Sequence, residues 1–267
     1  MWNPHAPLAP STRRALGLAT MAGVLLAWAV VSGAGLLKPA FLPAPWAVLK
    51  ALLSLAWQAG SEGGGSSPLL VAAAWSLGRV FASVALMVAV GVPLGVLMGA
   101  SPRIDAAISP LTDPLRYAPI TAFLPLFIMW FGIDETMKIA FLWFGGVVYL
   151  VPMVRDAVRA VPLDYLVQAE DLGFAPHETI RHVLVPLAMP RIMDAVIVDF
   201  GIAWTYIVVA EYVNAREGLG MLIQTARRLS ATDRVFAVIA VILALALLTD
   251  TTMRRLKRRL FPWQADG

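Results

Sequence analysis

The chain contains no cysteine, few charged residues and only three histidines. The absence of cysteine excludes disulfides, thiolate metal sites and cysteine nucleophiles. Charged residues make up 14% of the 267 positions and hydrophobic residues 59%, whereas soluble domains hold about 25% charged and about 45–50% apolar residues. We therefore expect a protein that lies mostly in lipid, and its mean hydropathy of +0.75 agrees.

Motifs of nucleotide binding and hydrolysis are absent as well. No lysine follows a glycine, which excludes a Walker A loop, and neither a Gly-x-Ser-x-Gly elbow nor a His-Glu-x-x-His motif occurs. His177 and His182 have a poor spacing for two metal ligands on one helix, so solvated histidines are the simpler interpretation. We predict no catalytic residue, no metal site and no cofactor bound directly by this chain.

Six apolar windows are candidate membrane spans, because a helix needs about 20 residues to cross a bilayer. The shorter windows are expected to extend into flanking polar turns or to pack inside the bundle. Two arginines before the first window would also suit a secretory signal, but that window is too long for a typical signal core. The windows are residues 15–37, 80–100, 117–133, 139–154, 195–210 and 235–253.

The basic residues predict the orientation, since cytoplasmic loops carry an excess of lysine and arginine. Placing both termini in the cytoplasm gives that side the larger share, although Arg227 and Arg228 count against it. The resulting division is a cytoplasmic tail, a first span, an external loop, a core that includes residues 164–190, and a second cytoplasmic tail. These parts are residues 1–14, 15–37, 38–67, 68–256 and 257–267.

The external loop and the region after the second window contain further structural signals. An amphipathic helix is predicted from Trp46 to about Gln58, followed by a flexible glycine-rich linker at residues 60–67. Residues 68–78 can form a helix that enters the membrane. Residues 104–116 are expected to be broken by Pro110 and Pro114, because proline removes a helical hydrogen bond.

One polar segment, residues 164–190, separates the fourth and fifth windows, and we name it the docking segment. Asp164 can cap a short helix that carries Tyr165, Ala169 and Leu172 at helical spacing. Gly173 can then end this helix in a left-handed turn.

A second short helix is predicted in the same segment. Pro176 suits its first turn, and Pro186 and Pro190 are expected to end it before the next apolar run. Two short amphipathic helices at an angle, exposed between membrane spans, predict a surface that docks a partner in water.

Charged groups in or near the spans need a partner, a water-filled cavity or a function. The charged candidates are Arg79, Asp113, Arg116, Asp199 and Glu211. We interpret Arg79 as an interfacial anchor. Arg116 either contacts an anionic solute or pairs with Asp113, and Glu211 either lines a pathway or balances Arg216. The candidate residues of a translocation pathway are Arg116, Tyr117, Trp204 and Glu211.

The docking segment resembles the EAA loop of permease subunits of bacterial ABC importers, in which small and acidic residues precede a glycine and a leucine–proline pair. The pattern here is Val167-Gln-Ala-Glu-Asp-Leu-Gly173 and later Val185-Pro186. Val167 and Gln168 stand where the family has glutamate and alanine. The chain is also similar to the nitrate, sulfonate, taurine and bicarbonate importer branch, at residues 42–45, 125–132, 203–211 and 218–220.

This resemblance implies an all-α, MetI-like fold, the type shared by methionine and molybdate importer permeases, in the bacterial inner membrane. It implies a second permease copy, two ATPase subunits that bind ATP and magnesium, and an external solute-binding protein. The small solute stays open among nitrate, sulfonates, taurine, bicarbonate and pyrimidine-like vitamin precursors, and Arg116 favours an anion. The alternative is an ATP-independent channel or secondary transporter, which would favour paired acids inside the spans. The ATPase-coupling residues implied are Gln168, Ala169, Glu170, Asp171, Leu172, Gly173, Phe174, Pro176 and Pro186.

Overall fold

The computed structural model describes residues 9–57, 67–213 and 216–264, and in this part of the chain it contains helices and no strand. The all-α prediction is confirmed. The helices are α1 (Pro10–Gly33), α2 (Pro45–Trp57), α3 (Pro68–Ala100), α4 (Pro102–Leu115), α5 (Leu124–Phe131), α6 (Glu135–Arg159), α7 (Leu163–Asp171), α8 (Pro176–Thr179), α9 (Val185–Tyr212), α10 (Leu219–Arg228) and α11 (Thr232–Leu260). Two 3₁₀-helices (Ile120–Phe123 and Pro262–Gln264) and one π-helical turn (Ile180–Leu184) accompany them.

Five helical stretches of the described chain are long and apolar enough to cross a membrane, and a bent pair of helices makes a sixth. Two of the short windows extend as expected. The window 139–154 lies within α6, and the window 195–210 lies within a continuous helix over Pro176–Tyr212. The predicted helix after Trp46 is confirmed as α2, while residues 58–66, which hold most of the predicted linker, lie outside the described residues.

The region around the third window differs from the prediction. Pro110 and Pro114 lie inside α4 and do not break it. A proline removes one hydrogen bond of a helix and bends it more often than it ends it, and neighbouring groups in a bundle compensate the loss. The break comes after α4, where the chain turns by 91° before residues 120–131. With 8 residues, α5 is too short to span a membrane alone.

The chain divides into two compact units, of which the smaller joins Met1–Pro68 to Ile223–Ala240. In this unit the indole N–H of Trp28 donates to the carbonyl of Pro43 at 2.9 Å, and its ring lies 5.9 Å from that of Phe236. The hydroxyl of Thr232 donates to the carbonyl of Ala40 at 2.7 Å. The chain after α1 is thereby held against the start of α11.

The larger unit joins Leu69–Leu222 to Val241–Gly267. The helices α3 and α6 approach so closely that a Cβ on Gly95 would lie 2.6 Å from the Cβ of Val154. Small residues permit such backbone approach in membrane bundles, where apolar burial drives little association. Buried residues of α6 and α9 form much of the remaining core, including Phe141, Leu142, Leu150, Ala203 and Ile207.

Candidate functional site

The first helix of the docking segment, α7, ends in a Schellman motif. The N–H of Phe174 donates to the carbonyl of Ala169 at 3.0 Å, and the N–H of Gly173 donates to that of Glu170 at 2.9 Å. Gly173 has a φ of +82°, which residues with a Cβ rarely adopt. The predicted left-handed turn at Gly173 is confirmed.

The start of α7 differs from the prediction. Pro162 occupies the N-cap position and no side chain caps the helix, so the expected capping by Asp164 is wrong. Pro162 has a φ of −59° and a ψ of 138°, and this extended residue leads the chain into the helix at Leu163. Asp164 therefore lies in the first turn, where its charge faces the positive end of the helix dipole.

The second helix of the docking segment does not end at Pro186 or Pro190, and that prediction is wrong. Helix α8, the π-helical turn and α9 follow one another without a break over 37 residues. The N–H of Val185 bonds to the carbonyl of Ile180, one residue further back than in an α-helix. This wider turn gives room for the ring of Pro186, which also removes a donor at the start of α9.

The beginning of this long helix is well defined. Pro176 occupies the first helical position, as predicted, and the N–H of Ala175 donates to the side chain of Glu178 at 2.8 Å. Because the helix continues through Tyr212, the second part of the docking segment and a candidate membrane span belong to one helix. The docking segment is thus one short helix joined by a rigid turn to the end of a long one.

Apolar side chains of the docking segment, and of Leu163 directly before it, are exposed. Leu163, Val167 and Leu172 have exposed fractions of 73%, 53% and 78%. Large exposed apolar groups on a polar segment mark a surface that binds a partner. Of the predicted coupling residues, Ala169 is buried on the inner side of α7. The others are exposed: Gln168, Glu170, Asp171, Leu172, Gly173, Phe174, Pro176 and Pro186.

An ion cluster lies at the end of α6 that leads into the docking segment. Arg155 contacts Asp113 at 3.2 Å, Asp105 at 3.4 Å and Asp156 at 3.1 Å, and Arg159 contacts Asp105 at 2.7 Å. Asp105 and Asp113 belong to α4. The cluster therefore ties α4 to the helix end from which the docking segment starts.

The predicted pathway residues lie in two places. Arg116 contacts Asp113 at 3.7 Å, so the ion pair that was one of its two expected roles is present. Tyr117, the next residue, is exposed. Trp204 and Glu211 are buried and seven residues apart on α9, on one face of the helix. Whether any of them contacts a solute stays a prediction.

Arg79 is buried and paired with other side chains, so it does not anchor the chain by direct contact with lipid headgroups, in contrast to the sequence interpretation. Its guanidinium donates to both carboxylate oxygens of Glu135, and its Nη1 donates to Glu211 Oε1 at 2.7 Å. The same Nη1 donates to the carbonyl of Glu217 at 2.8 Å. A buried arginine is tolerated when each of its guanidinium nitrogens has an acceptor, as is the case here.

Glu211 binds further donors besides Arg79. The Ser76 hydroxyl donates to Glu211 Oε1 at 2.7 Å and accepts from the N–H of Leu219 at 2.9 Å. The N–H of Gly220 donates to Glu211 Oε2 at 2.7 Å. These partners replace the pairing with Arg216 that the sequence suggested, and they fix the start of α10 against α3 and α9.

We name the group Ser76, Arg79, Glu135, Lys138, Glu211 and Glu217 the Arg79 network. Lys138 joins it through Glu135 at 2.7 Å. Sequence reasoning singled out Arg79 and Glu211 separately as charges that need partners, but not their pairing. The sequence did contain a signal for this pairing. Arg79 directly precedes the window 80–100, Glu211 directly follows the window 195–210, and each of these opposite charges needed a counter-ion.

Asp199 is a second buried charge of α9. Neither of its carboxylate oxygens has a hydrogen-bond partner in the part of the chain that the structure describes. It lies beside Met87 and Gly146, and a Cβ on Gly146 would come 2.7 Å from Asp199 Oδ1. The glycine therefore provides the space that the carboxyl group occupies.

Comparison with known proteins gives consistent results. The family model described as "Binding-protein-dependent transport system inner membrane component" matches residues 91–262. The chain is 34% identical over 251 residues to the taurine transport system permease protein TauC of Escherichia coli (strain K12), covering 94% of this chain and 90% of TauC. It is 28% identical over 246 residues to the bicarbonate transport system permease protein CmpB of Synechocystis sp., covering 91% and 87%.

The fold is similar to that of a solved transporter. The inward-facing MetNI methionine ABC transporter aligns with a TM-score of 0.64 and 22% sequence identity, covering 72% of this chain and 95% of the matched chain. At this identity the likeness shows the fold alone, and it confirms the MetI-like architecture.

Proposed function

Because the chain belongs to the family of binding-protein-dependent transport system inner membrane components, the permease subunits of ABC importers, we propose that its docking segment binds a separate ATPase that drives import. The observation that carries this proposal is the exposed apolar surface of α7, with Leu163, Val167 and Leu172, next to a helix that continues into the membrane. A partner that covers this surface can move the span.

The mechanism follows from how rigidly the docking segment is built. ATP binding closes the partner ATPases, which displace α7 and the turn at Gly173 as one piece. Since Pro176–Tyr212 is a single helix, the displacement reaches α9 without an intervening hinge. The ion cluster around Arg155 joins α4 and α6 to the other end of the docking segment. The spans then alternate between two arrangements that ligands at both ends bias.

The proposed assembly has two permease copies, two ATPase subunits and one external solute-binding protein. We place both termini in the cytoplasm, which puts the docking segment on the side where ATP is available. The ATP and magnesium belong to the partner, in agreement with the lack of a Walker A loop in this chain.

The proposed solute is a small anion. Relatives include permeases named for taurine, aliphatic sulfonates and bicarbonate, all of which carry a negatively charged group. Arg116, at the end of α4, is the candidate contact for such a charge, and Tyr117, Trp204 and Glu211 are the other candidates along the pathway. Uptake of radiolabelled sulfonates and bicarbonate with the cognate binding protein distinguishes among these solutes.

Reconstitution tests the proposal. The permease, its ATPase and its binding protein are expected to give solute uptake in proteoliposomes that requires ATP and to co-purify as one complex. Leu172→Asp is expected to weaken retention of the ATPase, because it places a charge on the apolar surface. Leu229→Asp is the matched control, since Leu229 is 65% exposed and lies outside the docking segment. Uptake without ATP, with no ATPase retained, would instead favour a channel or secondary transporter.

A further inference from the structure

A groove runs along the larger unit between α3 and α6. Two adjoining cavities form it, with volumes of about 340 and 500 Å³, and Glu135 and Ile139 line both. The smaller cavity lies over Ala74, Trp75 and Gly78. Gly78 leaves open space in this cavity, since a Cβ there would meet no atom within 4 Å.

The groove is polar at one end only. Arg79 lines the first cavity only, and Glu135 and Thr136 lie where the second begins. The rest of the second cavity is apolar: Leu86, Val90, Phe131, Ile139, Ala140 and Trp143. Glu135 begins α6, and α6 ends next to the docking segment. The polar end therefore lies at the membrane boundary opposite the docking segment, and the apolar part runs toward the middle of the bilayer.

The length of the apolar part matches one leaflet. From Arg79 to Val90 the helix α3 rises by about 16 Å, and from Glu135 to Trp143 the helix α6 rises by about 12 Å, at about 1.5 Å per residue. One leaflet of the hydrocarbon core is about 15 Å thick, half of the whole. An acyl chain that starts at the boundary can thus follow the groove along its length.

The charges at the polar end indicate the headgroup. The two cations Arg79 and Lys138 balance the two anions Glu135 and Glu211, so the paired side chains have no net charge; Glu217 joins through its backbone carbonyl. Both cations are only 3% exposed, whereas the side chain of Glu135 is 45% exposed. The charged group that a ligand can reach is therefore the Glu135 carboxylate, whose oxygens already accept from Arg79 and Lys138. Its remaining lone pairs accept from a further donor such as an ammonium group and offer nothing to a headgroup that has only acceptors and a negative charge.

We propose that this groove binds one phospholipid with an ammonium-bearing, zwitterionic headgroup, such as phosphatidylethanolamine. Its ammonium lies near Glu135, its glycerol region beside Trp75 and Gly78, and one acyl chain lies against Val90, Ala140 and Trp143. Tryptophan at the boundary favours this arrangement, because indole rings reside at the level of lipid headgroups. The bound lipid closes the gap between α3 and α6 next to the Arg79 network.

Native mass spectrometry of the full-length permease tests the proposal. After delipidation and exposure to equal amounts of phosphatidylethanolamine and phosphatidylglycerol, the wild-type chain is expected to retain phosphatidylethanolamine preferentially. Ala140→Phe fills the groove and is expected to abolish this retention. Ala244→Phe, on an exposed position of α11, is the matched control and is expected to retain the lipid as the wild type does.

Several results would overturn the proposal. Equal retention of both lipids by the wild type contradicts the headgroup assignment, and unchanged retention by Ala140→Phe contradicts the location. Loss of permease dimers with Ala140→Phe, but not with Ala244→Phe, would identify the groove as an interface between two copies instead.

A second measurement decides the matter if Ala140→Phe does not fold. Phosphatidylethanolamine with brominated acyl chains is expected to quench the fluorescence of Trp143, so Trp143→Phe should reduce the quenchable fraction of the total emission. The same brominated chains on phosphatidylglycerol should quench less. An equal quenchable fraction in the wild type and Trp143→Phe would contradict the proposed path of the acyl chain.

Discussion

The guanidinium of Arg79 and the carboxylate of Glu211 lie 2.7 Å apart, with exposed side-chain fractions of 3% and 0%. The two residues are 132 positions apart in sequence and join the outer part of α3 to the end of α9. Arg79 donates to the carbonyl of Glu217, and Glu211 accepts from the N–H of Gly220 and, through Ser76, is linked to the N–H of Leu219. These bonds hold the segment that enters α10. A single charge pair therefore positions three segments of the bundle.

Removing one member of this pair should be costly. Glu211→Gln leaves Arg79 with Glu135 as its remaining charged partner, and the loss of one charged partner at a buried position costs up to about 3–5 kcal/mol. We expect a large fall in the apparent melting temperature of the purified permease. The double variant Arg79→Met with Glu211→Leu should lose less than the sum of the single variants.

An exposed pair provides the control for this measurement. Arg254 and Asp250 lie 2.8 Å apart on α11 with exposed fractions of 58% and 39%. Asp250→Asn should cost about 0–1 kcal/mol, because water screens such pairs. If Glu211→Gln melts no lower than Asp250→Asn, the Arg79 network does not stabilise the bundle.

The turn at Gly173 leads to a prediction about coupling. Gly173→Val forces a β-branched residue to a φ of +82° and should abolish ATP-driven uptake while the permease still inserts. Gly173→Asn is the control, since asparagine adopts left-handed conformations more readily, and it should retain most of the uptake. Uptake by a reconstituted complex at equal permease content measures both. Equal uptake by the two variants would show that the turn does not transmit movement.

Local sequence rules predicted the parts of the fold that depend on single residues. The left-handed turn at Gly173 and the helix start at Pro176 follow from backbone chemistry that each residue carries itself. The spans follow from runs of apolar residues whose length fits a bilayer. Their ends were less accurate, and the first helix covers Pro10–Gly33 where residues 15–37 were expected.

Features that depend on packing could not be predicted from the sequence. Pro186 was expected to end a helix, but one π-helical turn accommodates its ring, and a residue pattern does not reveal such a turn. Arg79 finds Glu135 and Glu211 at 56 and 132 residues along the chain. Only the arrangement of the helices brings these charges together.

Two glycines allow a test of the packing around the Arg79 network. A Cβ on Gly220 would lie 2.6 Å from the Cβ of Glu211 and 3.1 Å from the carbonyl of Val208, so Gly220→Ala must displace α10. We expect it to lower the melting temperature. Gly78→Ala is the matched control on α3, where the new methyl group meets open space and should add about 0.5–1 kcal/mol by favouring the helix. A melting temperature that is equally changed by both substitutions would contradict the close contact at Gly220.

Asp199 should reduce the stability of the bundle. Its buried carboxyl group has no hydrogen-bond partner among the described residues, and such burial costs about 1–3 kcal/mol in proteins. Leucine branches at the same carbon as aspartate and has the same number of side-chain heavy atoms but no polar group, so Asp199→Leu should raise the melting temperature. Phe200→Leu, the adjacent buried residue, is the control for repacking of α9 and should lower the melting temperature. If Asp199→Leu is destabilising instead, the carboxyl group has a partner in the assembled transporter, and uptake measured on the same variant shows whether transport needs it.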